Sequence, residues 1–281
     1  MNNQTQRQIK LISQGMPATD GDGVKLTRII GTPQLDMLDP FLLLDVFESD
    51  QPQDYIGGFP KHPHRGFETV SYLLAGNMRH KDSAGNEGVI TPGGVQWMTA
   101  GKGIEHSEMP EQVEGLLKGF QLWVNLPSHA KMVEPGYQEF PPEQVAVETW
   151  PSGTSIRVIS GTTAQGTVGP VKNHYVSPTY MDVQLKAGDV FEQSLPNTDN
   201  AFIYVISGTA AIDQSGEEVA TAELAILTAG DYVRIRAQVD SRFLLVSGKP
   251  INEPVARGGP FVMNTKAEVL QAFADYQSGQ F

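Results

Sequence analysis

Residues 62–76 read HPHRGFETVSYLLAG, a pair of histidines followed by a run of β-forming residues. The run from Phe67 to Leu74 is rich in aliphatic and aromatic side chains, and Gly76 ends it as a turn residue does. A similar string, IYVISG, occupies residues 203–208, at an offset of 132 residues (208 minus 76) from the SYLLAG end of the first stretch. This recurrence indicates two copies of one β module.

Short β-rich runs separated by glycine and proline continue along the chain, which holds 29 glycines and 19 prolines. Such regular spacing favours an all-β sandwich or barrel over alternating strands and helices. A single large sandwich is the alternative to two repeated modules. The predicted strands cover residues 67–74, 120–126, 155–160, 180–185, 201–206, 224–227 and 242–246.

The length of 281 residues is sufficient for two domains. We predict an amino-terminal barrel over residues 1–140 and a carboxy-terminal barrel over residues 153–281. A polar, proline-rich linker is expected between them, over residues 141–152.

A helix is predicted near the end of the chain, where Thr265 and Glu268 are spaced as a capping box. Val269, Phe273 and Tyr276 then fall on one helical face. We expect this helix to belong to the carboxy-terminal barrel.

The composition excludes several classes of protein. There are no cysteines, so disulfides, thiolate metal sites and cysteine nucleophiles are ruled out. The net charge of −12 leaves no positive field of the kind that binds nucleic acid. No apolar run reaches the ~18 residues that span a bilayer, and no secretory signal is recognisable. We therefore expect a cytoplasmic protein that binds neither nucleic acid nor membranes directly.

Two short motifs carry metal-binding residue types two positions apart. His62 and His64 flank a proline, and His106 and Glu108 flank a serine. Side chains two apart on a strand point to the same face. If the two segments face each other inside a barrel, three imidazoles and one carboxylate converge. That set suits a borderline divalent ion such as Fe(II), Mn(II), Ni(II), Cu(II) or Zn(II).

Glu68 leaves the choice of carboxylate open at this point. On an unbroken strand it shares the face of the two neighbouring histidines, so it could ligate in place of Glu108. Pro63 and Gly66 are able to break that alternation. The same alternation predicts that the even-numbered residues Val70, Tyr72 and Leu74 line an apolar interior suited to an aromatic ring. The alternative for these residues is ordinary barrel core, which is favoured deeper in the barrel.

The remaining histidines lie in less informative contexts. His80 is expected in a loop or at the rim of a barrel, and His129 in a turn. His174 is alone in a predicted strand, where a structural role is expected. Arg65 could steer an anionic substrate or serve a structural role.

The chain resembles the pirin family of the cupin superfamily over nearly its whole length. The resemblance begins with residues 62–74, quoted above. It continues in LDPFLL at 38–43, QWMTAG at 96–101, HSEMP at 106–110, LWVNL at 122–126 and GPFVMNT at 259–265.

This resemblance implies two tandem, jelly-roll-like cupin β-barrels with a mononuclear metal, most often Fe(II), in the first. The ligands that it implies are His62, His64, His106 and Glu108. Glu68 then becomes a residue beside the ligands or facing the substrate. The second barrel carries no such motif and is expected to be metal-free.

Pirins are linked to quercetin 2,3-dioxygenase activity, and some members to redox-sensitive transcriptional co-regulation. The resemblance therefore implies an enzyme that opens an aromatic flavonol ring, with Glu108 as ligand and catalytic base. The alternative is a redox-responsive iron protein that binds a protein partner without turnover. A metal-dependent isomerase would use the same ligands.

Overall fold

The computed structural model describes residues 4–212 and 216–281, which form mainly antiparallel β-structure. The strands of the first half are β1 (Ile9–Ser13), β2 (Met16–Asp20), β3 (Val24–Ile30), β4 (Phe41–Ser49), β5 (Phe59–His64), β6 (Phe67–Ala75), β7 (Met78–Asp82), β8 (Glu87–Ile90), β9 (Val95–Thr99), β10 (Ile104–Pro110), β11 (Leu117–Asn125) and β12 (Gly136–Phe140). The strands of the second half are β13 (Ala146–Thr149), β14 (Ser155–Ser160), β15 (Thr179–Leu185), β16 (Val190–Ser194), β17 (Asn200–Ser207), β18 (Thr209–Ile212), β19 (Glu218–Ala220), β20 (Leu224–Leu227), β21 (Tyr232–Arg236), β22 (Ser241–Gly248), β23 (Ala256–Gly258) and β24 (Phe261–Met263). Short 3₁₀ helices cover Pro52–Asp54 and Ser128–Ala130, and the helix α1 covers Lys266–Gln277.

The chain forms two compact units, each a jelly-roll-like barrel. The first barrel comprises residues 16–143 and 251–281, and the second comprises the described residues of 1–15 and 144–250. The predicted all-β class and the two barrels are confirmed. Each predicted strand falls on an observed one, and residues 155–160 and 224–227 match β14 and β20 from end to end.

Each barrel is built from a seven-stranded sheet and a four-stranded sheet. In the first barrel the seven strands are ordered β12-β9-β6-β11-β4-β3-β2, and the four are ordered β5-β10-β7-β8. In the second barrel the corresponding orders are β1-β20-β17-β22-β15-β14-β13 and β16-β21-β18-β19. The two similar strings of the sequence end β6 and β17, which occupy the same place in their sheets. The repeat is therefore one of topology as well as of sequence.

The interiors of the two barrels differ in chemistry. In the second barrel a large apolar cluster of buried aliphatic and aromatic residues is drawn from both sheets. In the first barrel the interior holds smaller apolar clusters together with buried polar side chains. Among these are His64, His106 and Glu108, each no more than 3% exposed.

The two ends of the chain do not follow the predicted linear division. Strand β1 pairs with β20, so the amino-terminal segment completes the seven-stranded sheet of the second barrel. It satisfies backbone groups that would otherwise be exposed at a sheet edge. Residues 251–281 belong to the first barrel. This corrects the prediction that the second barrel extends over residues 153–281 and includes the terminal helix. The boundary between residues 143 and 144 does fall inside the predicted linker.

The predicted capping box is confirmed, because Thr265 accepts a hydrogen bond from the Glu268 N–H and the Glu268 side chain reaches back to the Thr265 N–H. The ring of Phe273 then packs edge-on against Phe261 of β24, with ring centroids 4.8 Å apart. The helix is thereby fixed on the β23–β24 hairpin of the first barrel. In the described residues no helix has both the length and the apolar character needed to cross a bilayer.

Arg7 anchors the amino-terminal segment in the second barrel. Its guanidinium is buried and donates hydrogen bonds to the carbonyl oxygens of Gly230, Asp199 and Pro196 at 2.9, 2.9 and 2.6 Å. Burial lowers the pKa of Arg7, although nearby carboxylates oppose the effect. These carbonyls are neutral acceptors, and their hydrogen bonds hold the guanidinium in place.

We expect Arg7→Ala to lower the free energy of unfolding by about 3 kcal/mol, because several buried carbonyls lose a charged donor at once. Urea denaturation followed by tryptophan fluorescence measures the change. The control is Lys10→Ala, which removes an exposed cation from the same segment and should leave the midpoint unchanged. A midpoint in Arg7→Ala equal to that of the control would contradict the anchoring role.

Candidate metal centre

The antiparallel pairing of β5 with β10 brings the two histidine motifs together. His62 lies directly opposite His106 in the register, and His64 lies opposite Ile104. His62 and His64 project from the same face of β5, as the alternation of a strand requires. His64 and His106 are buried, whereas His62 is half-buried. The convergence predicted from spacing is therefore present for the three imidazoles.

The three imidazoles form a tight cluster, with one ring nitrogen of each within 4.8 Å of the others. The Nε2 atoms of His62 and His64 are 3.1 Å apart. The Nδ1 atom of His62 lies 2.7 Å from the carbonyl oxygen of Pro60, and that of His64 lies 3.4 Å from the carbonyl oxygen of Pro260. A carbonyl can only accept, so each Nδ1 carries the proton and each Nε2 presents a lone pair.

This arrangement fits a divalent metal ion. Two lone pairs facing each other at 3.1 Å repel unless a cation lies between them. The Nε2 atom of His106 is buried without a hydrogen-bond partner in the described structure. A buried polar atom left unpaired is costly in a folded protein unless it has such a role. Imidazole nitrogens of this kind are ligands for Fe, Ni, Cu and Zn ions.

Burial sets the charge state of the cluster. It lowers the pKa of His64 and His106 well below the usual range, and the neighbouring imidazoles lower them further. Both side chains are therefore neutral at pH 7, which is the form that binds a metal.

Glu108 lies in the same cavity but outside the three-histidine cluster. Its Oε1 accepts a hydrogen bond from the Ser71 hydroxyl at 2.5 Å, and its Oε2 accepts one from the Gln121 amide at 2.7 Å. Both donors come from the seven-stranded sheet and hold the carboxylate in place. Glu108 as a metal ligand stays a prediction.

Glu68 and the even-numbered residues of β6 are not where the sequence predicted them. Gly66 has a positive φ of 86° and its N–H bonds to the Gly101 carbonyl, so a turn separates β5 from β6 and resets the alternation. As a result the odd-numbered residues Phe67 and Ser71 face the site. Glu68 lies on the opposite face, where it accepts a hydrogen bond from the Thr99 hydroxyl. The prediction that Val70, Tyr72 and Leu74 line the cavity was therefore wrong.

A cavity of about 670 Å³ opens onto the imidazoles of β5 and onto Glu108. Its apolar walls include Leu43, Phe59 and Trp123, and the Trp123 ring contacts His64 at a centroid distance of 5.2 Å. Pro260, on the turn between β23 and β24, closes one side. The carboxy-terminal segment therefore contributes to the site.

Two arginines line the cavity, and their charges are balanced differently. Arg28 forms two hydrogen bonds with Asp45, at 2.9 and 2.7 Å, so its charge is compensated at close range. Arg257 lies 4.0 Å from the exposed carboxylate of Asp36, its one ion pair within residues 4–212 and 216–281. Burial lowers the pKa of Arg257, an effect that Asp36 opposes. The positive charge of Arg257 is thus less completely compensated by carboxylates than that of Arg28.

Arg65 and the other histidines have positions that the sequence only partly foresaw. Arg65 is buried, is ion-paired with Asp275 at 2.6 Å and lies over the Phe281 ring, so its role is structural. His80 was predicted at a rim but lies buried in β7, with its ring nitrogen 3.5 Å from that of His106. The pairing of β7 with β10 causes this, and the local sequence does not reveal it. The two remaining histidines are exposed, His129 in a 3₁₀ helix and His174 in a bend outside any strand.

Comparison with known proteins identifies relatives of both barrels. The family model Pirin matches residues 23–124, and the model described as Pirin C-terminal cupin domain matches residues 180–281. A pirin-like protein of Caulobacter vibrioides is 52% identical over 275 residues, which cover 98% of this chain and 99% of the relative. A Pseudomonas aeruginosa protein, named provisionally as a quercetin 2,3-dioxygenase, is 46% identical with 97% of each chain covered. The crystal structure of quercetin 2,3-dioxygenase from Acinetobacter baumannii superimposes with a TM-score of 0.89 at 34% identity, with 98% of each chain covered.

We expect the protein to bind one divalent ion per chain, which native mass spectrometry and calorimetry with Ni(II) can measure. His106→Ala removes one of the three imidazoles. Its Ni(II) affinity should fall by more than the roughly 10- to 100-fold that follows loss of a residue merely supporting a ligand. His129→Ala removes an exposed histidine of the same barrel and serves as the control. Equal Ni(II) affinity in the two variants would contradict the site.

Proposed function

The chain belongs to the pirin family, and on that premise we propose that it is a metal-dependent dioxygenase that opens the ring of quercetin or a related flavonol. The observation that carries the proposal is the cluster of three imidazoles at the wall of an aromatic-lined cavity that also contains a carboxylate. The provisional name of the Pseudomonas relative and the likeness to the Acinetobacter quercetin 2,3-dioxygenase support the same reaction class.

The proposed metal ligands are His62, His64, His106 and Glu108, and the proposed metal is Fe(II). The unpaired Nε2 of His106 and the facing Nε2 atoms of β5 support the three imidazoles as ligands. Other divalent ions, namely Mn, Ni, Cu and Zn, suit the same donor set. The ion held by these residues would supply a positive charge that polarises an oxygen of the substrate and stabilises its anionic form.

The cavity supports an aromatic substrate. Its volume of about 670 Å³ is within the range usual for small-molecule sites. Phe59 and Trp123 offer apolar faces to a planar ring system. The weakly compensated guanidinium of Arg257 is available for an anionic phenolic oxygen on the same molecule.

Glu108 is the proposed catalytic base. Each of its oxygens accepts one hydrogen bond from the protein and retains a second lone pair, so one oxygen can ligate the metal while the other takes a proton from the flavonol 3-hydroxyl. Ser71 and Gln121 hold the carboxylate in its orientation. In the overall reaction both atoms of dioxygen enter the opened product, and one ring carbon leaves as carbon monoxide.

The test of the function is aerobic turnover of quercetin by protein loaded with Fe(II). We expect loss of the flavonol absorption together with release of one carbon monoxide per quercetin. Both signals should vanish in His106→Ala. No turnover by protein that demonstrably holds iron would falsify the dioxygenase. Binding of a protein partner that depends on the redox state, without turnover, would then favour the regulatory alternative.

Glu108→Gln is expected to lower kcat for quercetin by roughly 10²- to 10⁴-fold, because an amide cannot accept the substrate proton. The matched control is Glu105→Gln on the same strand. Glu105 points to the opposite face, where it pairs with Lys61 at 2.5 Å. Steady-state kinetics with measured iron content separates loss of the base from loss of metal. A kcat in Glu108→Gln equal to that of the control would exclude Glu108 as the base.

The cytoplasmic location of the protein stays a prediction.

A further inference from the structure

Two buried polar residues of β7 lie against the metal centre and have no part in the proposed reaction. His80 and Asp82 are 2% and 8% exposed. In the pairing of β7 with β10, His80 lies opposite Glu108 and Asp82 lies opposite His106. Burying polar side chains without hydrogen-bond partners costs free energy, so side chains this deep in a barrel are expected to have specific partners.

Contacts join the two residues to His106 in a chain. The Nε2 atom of His80 lies 3.2 Å from Oδ2 of Asp82, and its Nδ1 lies 3.5 Å from Nδ1 of His106. Asp82 also accepts hydrogen bonds from the backbone N–H groups of Ala84 and Asn86 at 3.0 and 2.9 Å, and from the Asn86 amide at 2.9 Å. These donors fix the Asp82 carboxylate, which ends the hydrogen-bond chain that runs from His106 through His80.

The positions of the protons follow from which atoms can donate. The Asp82 carboxylate accepts only, so the proton of a neutral His80 is on Nε2, and its Nδ1 presents a lone pair. His106 must then carry its own proton on Nδ1, where it donates to His80. This leaves the lone pair of His106 on Nε2. That atom is the one that is buried without a hydrogen-bond partner.

We propose that His80 and Asp82 are positioning residues that hold His106 in the Nδ1-protonated form and so aim its Nε2 at the metal. His62 and His64 are held in the same form by backbone carbonyls. His106 therefore differs from them, because its hydrogen-bond chain ends in a carboxylate. Such a chain orients the ring and increases the basicity of the ligand nitrogen. The proposal concerns metal binding and holds whatever reaction the site catalyses.

The direct test is the tautomer of His106 in metal-free protein, read from nitrogen-15 NMR spectra of histidine-labelled samples. We expect the proton of His106 on Nδ1 in the unaltered protein. In His80→Phe we expect a mixture of both tautomers, because phenylalanine keeps the stacking on Tyr137 but offers no acceptor. A proton on Nε2 of His106 in the unaltered protein overturns the proposal, and this measurement requires no variant to fold.

The second readout is Zn(II) affinity, measured by competition with a chelator. We expect His80→Phe and Asp82→Asn to bind Zn(II) roughly 10- to 100-fold more weakly. His80→Gln should restore part of the loss, because its amide oxygen can accept from His106. Tyr137→Phe is the control, because it keeps the stacked ring and removes only the hydroxyl that donates to Glu139. Unchanged Zn(II) affinity in folded His80→Phe overturns the proposal, whether or not the protein turns over quercetin.

Discussion

The antiparallel pairing of β5 with β10 is the interaction on which the site depends. It places His62 opposite His106 and directs three imidazoles from two distant segments toward one point. Backbone hydrogen bonds set this register, so the fold itself fixes the positions of the three imidazoles. The irregularity in the register between His106 and Glu108 falls within the same motif. The irregularity thus separates His106, whose imidazole belongs to the cluster, from Glu108, whose carboxylate lies outside it.

Burying polar groups inside a barrel reduces the area available for apolar packing, and the two barrels differ in this respect. The second has a large apolar cluster drawn from both of its sheets, whereas the first holds smaller apolar clusters together with buried polar residues. The first barrel limits the penalty because burial keeps His64 and His106 neutral and each oxygen of Glu108 has a hydrogen-bond donor.

The carboxy-terminal segment connects the stability of the first barrel to its site. Lys131 donates hydrogen bonds to the carbonyls of Gly66 and Val262 and to the Asn125 side chain, at 2.7 to 2.9 Å. Burial lowers the pKa of Lys131 to about 8. The ammonium thus joins the turn after β5 to the hairpin that carries Arg257 and Pro260. Part of the cavity wall is therefore formed by residues almost 200 positions from the histidines of β5.

The strand periodicity of two residues predicted that His62 and His64 share one face, because side chains two apart point the same way wherever the strand is unbroken. Their meeting with His106 was predicted only on the condition that the two segments face each other, and the pairing of β5 with β10 meets that condition. The repeat, the strands and the capped helix could also be predicted, because each depends on local sequence. Glu68 was misplaced because Gly66 adopts a positive φ and resets the alternation, which spacing alone does not reveal. The burial of His80, the pairing of β1 with β20 and the return of the last residues to the first barrel were decided by the tertiary structure. Each depends on hydrogen bonds or packing between segments far apart in the chain, and no local pattern specifies which strand will be the neighbour.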